Sequence, residues 1–291
     1  MAQSPSHAWG QIVGDVLEAG VAPLLNEIAR ETGLYLDSPG KREARSGKLV
    51  RWSDKYGNKH NLDYVLERDG TDERQGTPVG FIEIAWRRYT KHSKNKAQEI
   101  QGAVMPIAET HAARAPFLGA ILAGEFTATS LEQLRSLGFV VLYFPYAQVV
   151  EAFASVGIDA SSDEDMQPEE FRAKMDAWNS LPAVRQRTVI QSLMESCNDQ
   201  VDAFANELRR SIGRTIRRVI LLPLYGSTVE FGSLDAALSY LDDKGEDWTD
   251  DGQHEFVRVE LEIRYTNGDK VTGNFGDVDS IAAFLRMISV P

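Results

Sequence analysis

The sequence predicts an α/β protein (α+β in its arrangement), with a mixed central β-sheet flanked by helices. Strand-like and helix-like segments alternate through the first half of the chain. FLGAILAG and GFVVLYF are short continuous apolar runs, typical of strands buried on both faces, and the helical segment SLEQLRSL lies between them. Hydrophobic residues make up 43% of the 291 residues and charged residues 25%, a composition typical of a globular protein with a substantial core.

The remaining elements of the first half follow from spacing. Residues 6–32 have apolar positions at helical spacing; Pro23 is expected to kink or divide this helix, and Gly33 to end it. LVRW and HNLDYVLER are predicted strands joined by the turn KYGN, followed by a polar loop and the strand VGFIEIAW. Residues 95–109 are rich in Ala, Gln and Glu and predict a helix.

The second half is mainly helical before a repeated pattern near its end. Residues 145–156 and 168–212 are predicted helices, and SSDEDMQPEE is predicted to be a loop or a partner-facing insertion. FGSLDAALSYL aligns with FGDVDSIAAFL, which indicates either a duplicated strand-strand-helix unit or convergent use of one helix start. In the second copy, TNGDK is the predicted hairpin turn. We expect a core of residues 1–212 with a helical insertion, and a C-terminal α+β subdomain of residues 213–291 that could pack with it as one unit.

Several classes of protein are excluded by composition and motifs. The single cysteine, Cys197, rules out an internal disulfide framework and a cysteine-rich zinc site, and it fits a reducing cytoplasm. No apolar run is as long as a membrane span, and the first thirty residues lack a signal-peptide pattern, so no membrane partner is expected. Walker, GxGxxG, HExxH and GxSxG motifs are absent.

Charge is distributed unevenly along the chain. The net charge is −12, yet residues 36–96 hold fourteen Lys and Arg against nine Asp and Glu. Residues 97–291 hold sixteen against thirty. A clustered basic region is relevant to nucleic-acid binding even in an acidic protein, although it could also be a solvated face.

Two acids in this basic region stand in apolar strands. Asp63 lies in HNLDYVLE and Glu83 lies between Ile82 and Ile84 in GFIEIAW. Adjacent antiparallel strands would place these carboxylates close together, where they repel unless a cation or shared proton intervenes. Mg²⁺ suits such a pair because it takes oxygen ligands and keeps several waters. The alternative is a pair of ordinary edge-strand acids that face water.

An acid on one strand, a loop, and Glu-x-x on the next strand resemble the motif of the PD-(D/E)xK nuclease superfamily, which includes many type II restriction endonucleases. The matching positions are Asp63, Glu83 and Ala85, and the resemblance covers residues 49–109. It implies a restriction-endonuclease-like core in which Asp63, Glu83 and the Ile84 backbone carbonyl bind Mg²⁺, with Mn²⁺ as a substitute. Glu27 loosely resembles an extra acid that some members supply from the first helix.

The sequence departs from the motif at two positions. Leu62 replaces its proline, and Ala85 replaces its lysine, which removes a charge and a hydrogen-bond donor. Three explanations compete: an introduced replacement of an original lysine, which the surrounding residues favour; a lysine supplied instead by Lys94 or Lys96; or a natural module that binds without cutting.

Further basic residues around the strand are predicted DNA contacts. Arg87 shares the strand face of Glu83, since side chains alternate with a period of two, and it could contact phosphate or pair with Glu83. The full predicted set of DNA contacts is Arg87, Arg88, Tyr89, Lys91, His92, Lys94, Lys96, Lys41, Arg42 and Arg45. A later run could extend this surface or solvate a helix end: Arg209, Arg210, Arg214, Arg217 and Arg218.

The resemblance implies a Mg²⁺-dependent, site-specific endonuclease of restriction type in a bacterial cytoplasm, with Ala85 inactivating this chain. Its partners would be double-stranded DNA and a second copy of itself, because palindromic sites match twofold dimers. One alternative is a catalytically silent nuclease-like protein that binds nucleic acid. Another is a metal-dependent hydrolase of small phosphoesters.

Overall fold

The computed structural model describes residues 4–90, 93–245 and 257–289, and the chain forms two compact units. Unit 1 comprises residues 1–110 and 117–209, and unit 2 comprises residues 111–116 and 210–291. The predicted division at residue 213 therefore omits a short earlier segment that belongs to unit 2. Among the described helices, none combines the length and apolar character needed to cross a membrane.

The first unit begins with one helix and five successive strands, then alternates between helices and strands from α2 to α4, as the sequence predicts for this stretch, and ends in helices. They are α1 (Pro5–Glu31), β1 (Tyr35–Asp37), β2 (Val50–Ser53), β3 (Lys59–Leu62), β4 (Tyr64–Arg68), β5 (Thr77–Arg87), α2 (Ser93–Thr110), β6 (Phe117–Gly124), α3 (Ala128–Ser136), β7 (Val140–Pro145), α4 (Tyr146–Ala154), α5 (Pro168–Asn179), α6 (Ala183–Ser196) and α7 (Asn198–Ile212). Ser4 caps α1 by accepting a hydrogen bond from the His7 N–H, with Pro5 at the first helical position, so the helix start is encoded locally.

Five strands form the central sheet in the order β1-β4-β5-β6-β7. β4 pairs antiparallel with β1 and β5, whereas β6 pairs parallel with β5 and β7. One face of β5 packs in a core with α2 through Phe81, Ala85 and Ile100. On the other face, Trp86 stacks on Tyr146 of α4, with ring centroids 5.9 Å apart. The mixed sheet flanked by helices is confirmed.

The prediction that HNLDYVLER is one strand is wrong. β3 pairs with β2 in a separate two-stranded sheet, with the predicted turn KYGN between them, while β4 belongs to the central sheet. Asp63 is the residue at which the chain leaves one sheet and enters the other. The apolar pattern runs through this break because Leu62 and Tyr64 are both buried, so the pattern alone cannot reveal it.

The second unit contains two strand-strand-helix copies. Its elements are a 3₁₀ turn (Ala112–Arg114), β8 (Ile216–Pro223), β9 (Val229–Phe231), α8 (Leu234–Lys244), β10 (Val259–Tyr265), β11 (Lys270–Phe275) and α9 (Val278–Ser289). The sheet order is β11-β10-β8-β9, with all neighbours antiparallel. The hairpin turn at TNGDK lies between β10 and β11 as predicted.

The two central strands pair at equivalent positions, because Leu221 lies opposite Leu261 and each leucine lies opposite the residue two before the aligned phenylalanine of its own copy, Val229 and Gly273. Each copy also contains an equivalent aromatic pair. The ring centroids of Phe231 and Tyr240 are 5.1 Å apart, and those of Phe275 and Phe284 are 5.2 Å apart. The likeness extends well beyond a shared helix start, which favours duplication over convergence.

Candidate active site in the first unit

Asp63 and Glu83 face each other across the end of the β4–β5 ladder. Tyr64 lies opposite Ile82 in this ladder, so the next pair outward is Asp63 and Glu83. The Asp63 N–H donates to Glu83 Oε1 at 3.1 Å, and the Ile84 N–H donates to Asp63 Oδ2 at 2.7 Å. This exchange between side chains and backbone fixes both carboxyl groups at the point where β3 gives way to β4.

Both acids are held in a state that disfavours ionisation. Burial raises the pKa of Glu83, and the nearby charge of Asp63 raises it further, to about 8. Burial likewise raises the pKa of Asp63, although the hydrogen bond from the Ile84 N–H opposes this. The pair therefore carries an electrostatic cost when both groups are charged, a condition that a bound cation relieves.

Lys96 supplies the positive charge at this pair. It lies in the first turn of α2, and its charge lowers the pKa of both Asp63 and Glu83, although burial outweighs this effect at each group. Ala85, at the motif's lysine position, is 5% exposed and packs in the core with Ala97 of the same helix. The nuclease motif expects a lysine two strand positions after Glu83, where this chain has Ala85. In the structure the nearby positive charge comes instead from Lys96 of the following helix.

The Lys96 side chain is fixed by a shared acid. Glu99 Oε2 lies 3.3 Å from Lys96 Nζ and 3.3 Å from an Arg87 guanidinium nitrogen. Arg87 also donates to the Trp86 carbonyl at 3.0 Å. Lys96 is therefore tied to the end of β5, where the two carboxyl groups lie. The sequence prediction that Arg87 could pair with Glu83 is replaced by a pair with Glu99.

The acid that α1 contributes near the site is Glu18, which sequence reasoning missed. Burial raises its pKa, followed by the charges of Asp63 and Asp15. Glu18 and Asp63 also act, after burial, on the buried Tyr64, whose pKa rises to about 12. Glu27, the predicted acid, instead acts electrostatically on Arg209 of α7. No local signal separates these two helix acids, because only the packing of α1 determines which one reaches Asp63.

The donor chemistry of the carboxyl pair fits a hard divalent cation. Asp63 Oδ1 and Glu83 Oε2 accept no hydrogen bond from the part of the chain that the structure describes. Across residues 4–90, 93–245 and 257–289, no three His, Cys, Asp or Glu side chains come together as a metal site. A cation at this pair would thus keep several water ligands, as Mg²⁺ commonly does.

The predicted phosphate contacts at Arg42 and Arg45 require correction. The Arg42 guanidinium donates to both carboxylate oxygens of Glu67, at 2.6 and 2.9 Å, and lies 3.0 Å from Asp37. Arg45 pairs with Asp37 at 3.2 Å. All four side chains are buried, so these arginines neutralise acids inside the protein and are not available to a phosphate backbone.

Arg88 and Tyr89 hold elements of unit 1 together. Arg88 donates to the Ser6 carbonyl at 2.7 Å and lies over the Phe171 ring, while the Tyr89 hydroxyl donates to the Asp163 carbonyl at 2.7 Å. Their predicted role in contacting DNA is therefore not supported by their geometry.

Of the other predicted contacts, Lys41 and Lys94 are exposed, which is compatible with contacting phosphate. Lys91 and His92 lie outside the described residues.

Comparison with known proteins yields a weak structural likeness. No family model matches the chain, and no curated protein matches it. A solved structure described as a protein of unknown function, AF1548, covers 66% of this chain and 99% of its own at 12% sequence identity, with a TM-score of 0.28. A likeness this weak supports no conclusion about fold or function, so any functional inference depends on the site itself.

Proposed function

We propose that the protein is a Mg²⁺-dependent DNA endonuclease in which Lys96 takes the role that the motif gives to position 85. The observation that supports this is the Asp63–Glu83 pair, in which Glu83 is buried and Asp63 half-buried, and whose raised pKa values are opposed by the nearby Lys96. Strongly perturbed acids beside a specific charge partner are candidates for a functional site, because catalytic acids and bases need shifted pKa values. Exposed basic residues of this region, among them Lys41, Lys48 and Lys94, support a polyanionic substrate, whereas the buried Arg42 and Arg45 do not contribute.

Asp63 and Glu83, with the Ile84 carbonyl, would hold the cation. When bound, Mg²⁺ supplies a polarised phosphate and a more acidic water. The chain's own groups have separate tasks. The exchanged backbone hydrogen bonds orient the two carboxyl groups, and the Lys96 ammonium offsets charge on the scissile phosphate and donates hydrogen bonds to it. Glu99 and Arg87 are positioning residues, because they hold Lys96 over the end of β5.

This proposal favours the second explanation of Ala85, in which the following helix supplies the lysine, so we expect the chain to cut DNA as it stands. The rival is a silent binding protein, and Ala85 is the observation in its favour. Site-specific recognition and a twofold dimer remain parts of the proposal that follow from the resemblance.

Incubation of purified protein with plasmid and Mg²⁺ tests the proposal. Asn and Gln keep an oxygen that accepts the observed backbone hydrogen bonds, so Asp63→Asn and Glu83→Gln remove charge with little change in shape. Each is expected to slow cleavage at least about 1000-fold, which corresponds to about 4 kcal/mol. Lys96→Gln is expected to slow it about 100-fold. Lys59→Gln, an exposed lysine of β3 outside the predicted DNA contacts, is the matched control and should change the rate by less than about threefold, the scale of an exposed charge.

Each failure has a separate meaning. Salt-sensitive DNA binding without cutting would support the silent binder. Cutting that appears only in Ala85→Lys would support the replaced-lysine explanation and remove Lys96 from its assigned role. Hydrolysis of a small phosphodiester without salt-sensitive DNA binding would replace the endonuclease with the small-substrate hydrolase.

A further inference from the structure

A groove of about 410 Å³ on the sheet of unit 2 is lined mainly by basic side chains. The residues that decide its charge are Arg217, Arg218, Arg264, Lys270 and Glu262. Arg218, Glu262 and Arg264 lie on the side of the sheet opposite to Val219 and Leu261, which pack in the core with α8 and α9. Four cations against one acid make it a concentrated basic surface within an acidic protein.

A β-bulge brings the fourth cation into this groove. Arg264 lies opposite Arg218, but the next residue, Tyr265, lies opposite Ile216, so Arg217 has no partner in the ladder. In a regular strand Arg217 would share the covered side with Val219. A bulge redirects the side chain of the extra residue, and Arg217 accordingly lines the groove beside Arg218.

The groove retains positive charge after its ion pairs are counted. Glu262 pairs with Arg264 and with Lys270, the latter at 3.8 Å, and Glu230 pairs with Arg218 at 3.0 Å. Arg217 forms no ion pair within the described part of the chain. The paired cations are 48% to 64% exposed, and such surface pairs contribute only about 0.2–1 kcal/mol, so an incoming anion can compete for them.

Neighbouring arginines in the same segment have structural partners instead. Arg209 pairs with Glu31 at 2.9 Å, Arg210 donates to the Asn267 carbonyl at 2.6 Å, and Arg214 pairs with Asp269 at 2.6 Å. The basic run predicted from the sequence therefore divides into two sets. Arg209, Arg210 and Arg214 have structural partners, whereas Arg217 and Arg218 face the groove.

We infer that this groove binds the phosphodiester backbone of nucleic acid, an inference whose choice of ligand rests on the proposed function. Lys270, Arg264 and Arg218 stand in one row across three adjacent strands, a span of about 10 Å. Consecutive phosphates of one strand lie farther apart than their rise of about 3.4 Å along the duplex axis, because the backbone also winds around that axis, so the row can meet about two of them. An enclosed pocket with buried donors would instead suit a small phosphate compound, and the half-exposed cations of this open groove suit a backbone.

Duplex affinity as a function of salt tests the inference. We would compare Arg217→Gln/Arg218→Gln with Arg258→Gln/Arg286→Gln, a control that removes equal charge from exposed positions of unit 2 outside the groove. Binding of a labelled duplex is measured by fluorescence anisotropy in EDTA, which prevents cutting. Loss of two phosphate contacts should reduce the slope of log K against log salt by about 1.8. The control should keep the wild-type slope, and Arg217→Lys/Arg218→Lys should retain most of it.

A groove variant whose slope equals that of the control would overturn the inference. Calorimetry with inorganic pyrophosphate provides a second arm: binding that the groove variant loses, with an unchanged duplex slope, would reassign the groove to a small anion. Absence of duplex binding by the wild type would end the groove proposal, and the plasmid assay with Mg²⁺ would decide on the endonuclease separately. If the wild type binds the duplex through the groove but never cuts DNA, only the endonuclease proposal is lost. If the groove variant still cuts DNA and keeps the wild-type salt slope, only the groove proposal is lost.

Discussion

The central sheet of unit 1 holds two pairs of acids, and they are treated in opposite ways. Asp37 and Glu67, on β1 and β4, are 1% and 0% exposed and are bound by Arg42 and Arg45. Asp63 and Glu83, at the other end of β4 and on β5, form no ion pair with an arginine in the part of the chain that the structure describes, and the charge of Lys96 does not offset their burial. The first pair is neutralised within the fold, whereas the second is neutralised only in part.

The difference indicates which pair is structural. The Glu67 carboxylate receives two hydrogen bonds from Arg42 and one from the Gly76 N–H, so it is satisfied without any ligand. At Glu83, burial and the Asp63 charge raise the pKa to about 8. At one end of β4, Glu67 is buried together with the cation that neutralises it. At the other end, the Asp63–Glu83 pair lacks such a cation, and this is the arrangement that the proposed cation site needs.

Replacing Arg42, the main cation of the Asp37–Glu67 pair, is expected to have the largest effect on stability. Arg42→Met keeps much of the side-chain volume but leaves Asp37 and Glu67 buried without their principal cation. Loss of one partner of a buried ion pair typically destabilises a protein by about 3–5 kcal/mol. Urea unfolding followed by circular dichroism measures the change, with Arg68→Met on the same strand as the control. Equal midpoints for the two variants would show that the Arg42 cluster is not a structural one.

The Asp63–Glu83 pair is expected to lower the stability of the fold as the pH rises, whereas an acid with a lowered pKa raises it. Because the folded-state pKa of Glu83 lies above its ordinary 4.5, protonation favours the folded state. This contribution is complete below pH 4.5 and is lost as the pH rises through about 8. Without Mg²⁺, wild type should lose stability relative to Glu83→Gln across this range, by at most about 1.4 kcal/mol per pH unit.

Urea unfolding of both proteins at several pH values measures this difference, with Glu109→Gln, an exposed acid on α2, as the control. Mg²⁺ should restore stability to wild type near pH 8 and leave Glu83→Gln unchanged, since a ligand stabilises the state that binds it. A constant difference between wild type and Glu83→Gln at every pH would mean that Glu83 titrates as an ordinary acid, and the contrast between the two pairs would be lost.

The sequence predicts the Asp63–Glu83 pair better than the Asp37–Glu67 pair, for a physical reason. An acid such as Glu83 between two isoleucines is visible because a carboxylate in an apolar strand is costly. Asp37 and Glu67 stand next to polar or charged residues, as an exposed acid would, and only the distant Arg42 makes their burial possible. Counting charges along the chain cannot separate a solvated arginine from one that has a buried partner, which is why Arg42 and Arg45 were assigned to DNA.

The helices and most strands follow from periodicity, whereas the break at Asp63 does not. Apolar residues continue on both sides of it, and the change of sheet depends on the partners of the two segments, since β3 pairs with β2 and β4 pairs with β5. Lys96 was predicted as one of several backbone contacts, but its position beside the carboxyl pair requires the first turn of α2 to lie over the end of β5. Sequence separation hides such contacts because helix direction after a strand is set by packing.

The smallest expected effect concerns Glu18, whose charge acts on the Asp63–Glu83 pair from α1 without joining it as a third metal ligand among the described residues. A single charge acting through partly hydrated space contributes about 1 kcal/mol, so Glu18→Gln should weaken Mg²⁺ binding about fivefold. Glu27→Gln removes the same charge from the same helix but next to Arg209, and it should leave the affinity unchanged. Calorimetric titration with Mg²⁺ at pH 8 measures both. If the two variants weaken Mg²⁺ binding equally, the effect is one of net charge alone, and Glu18 has no specific place in the site. If only Glu27→Gln weakens Mg²⁺ binding, the acid predicted from the sequence is the correct one, and α1 lies over the sheet in a different register from the one described.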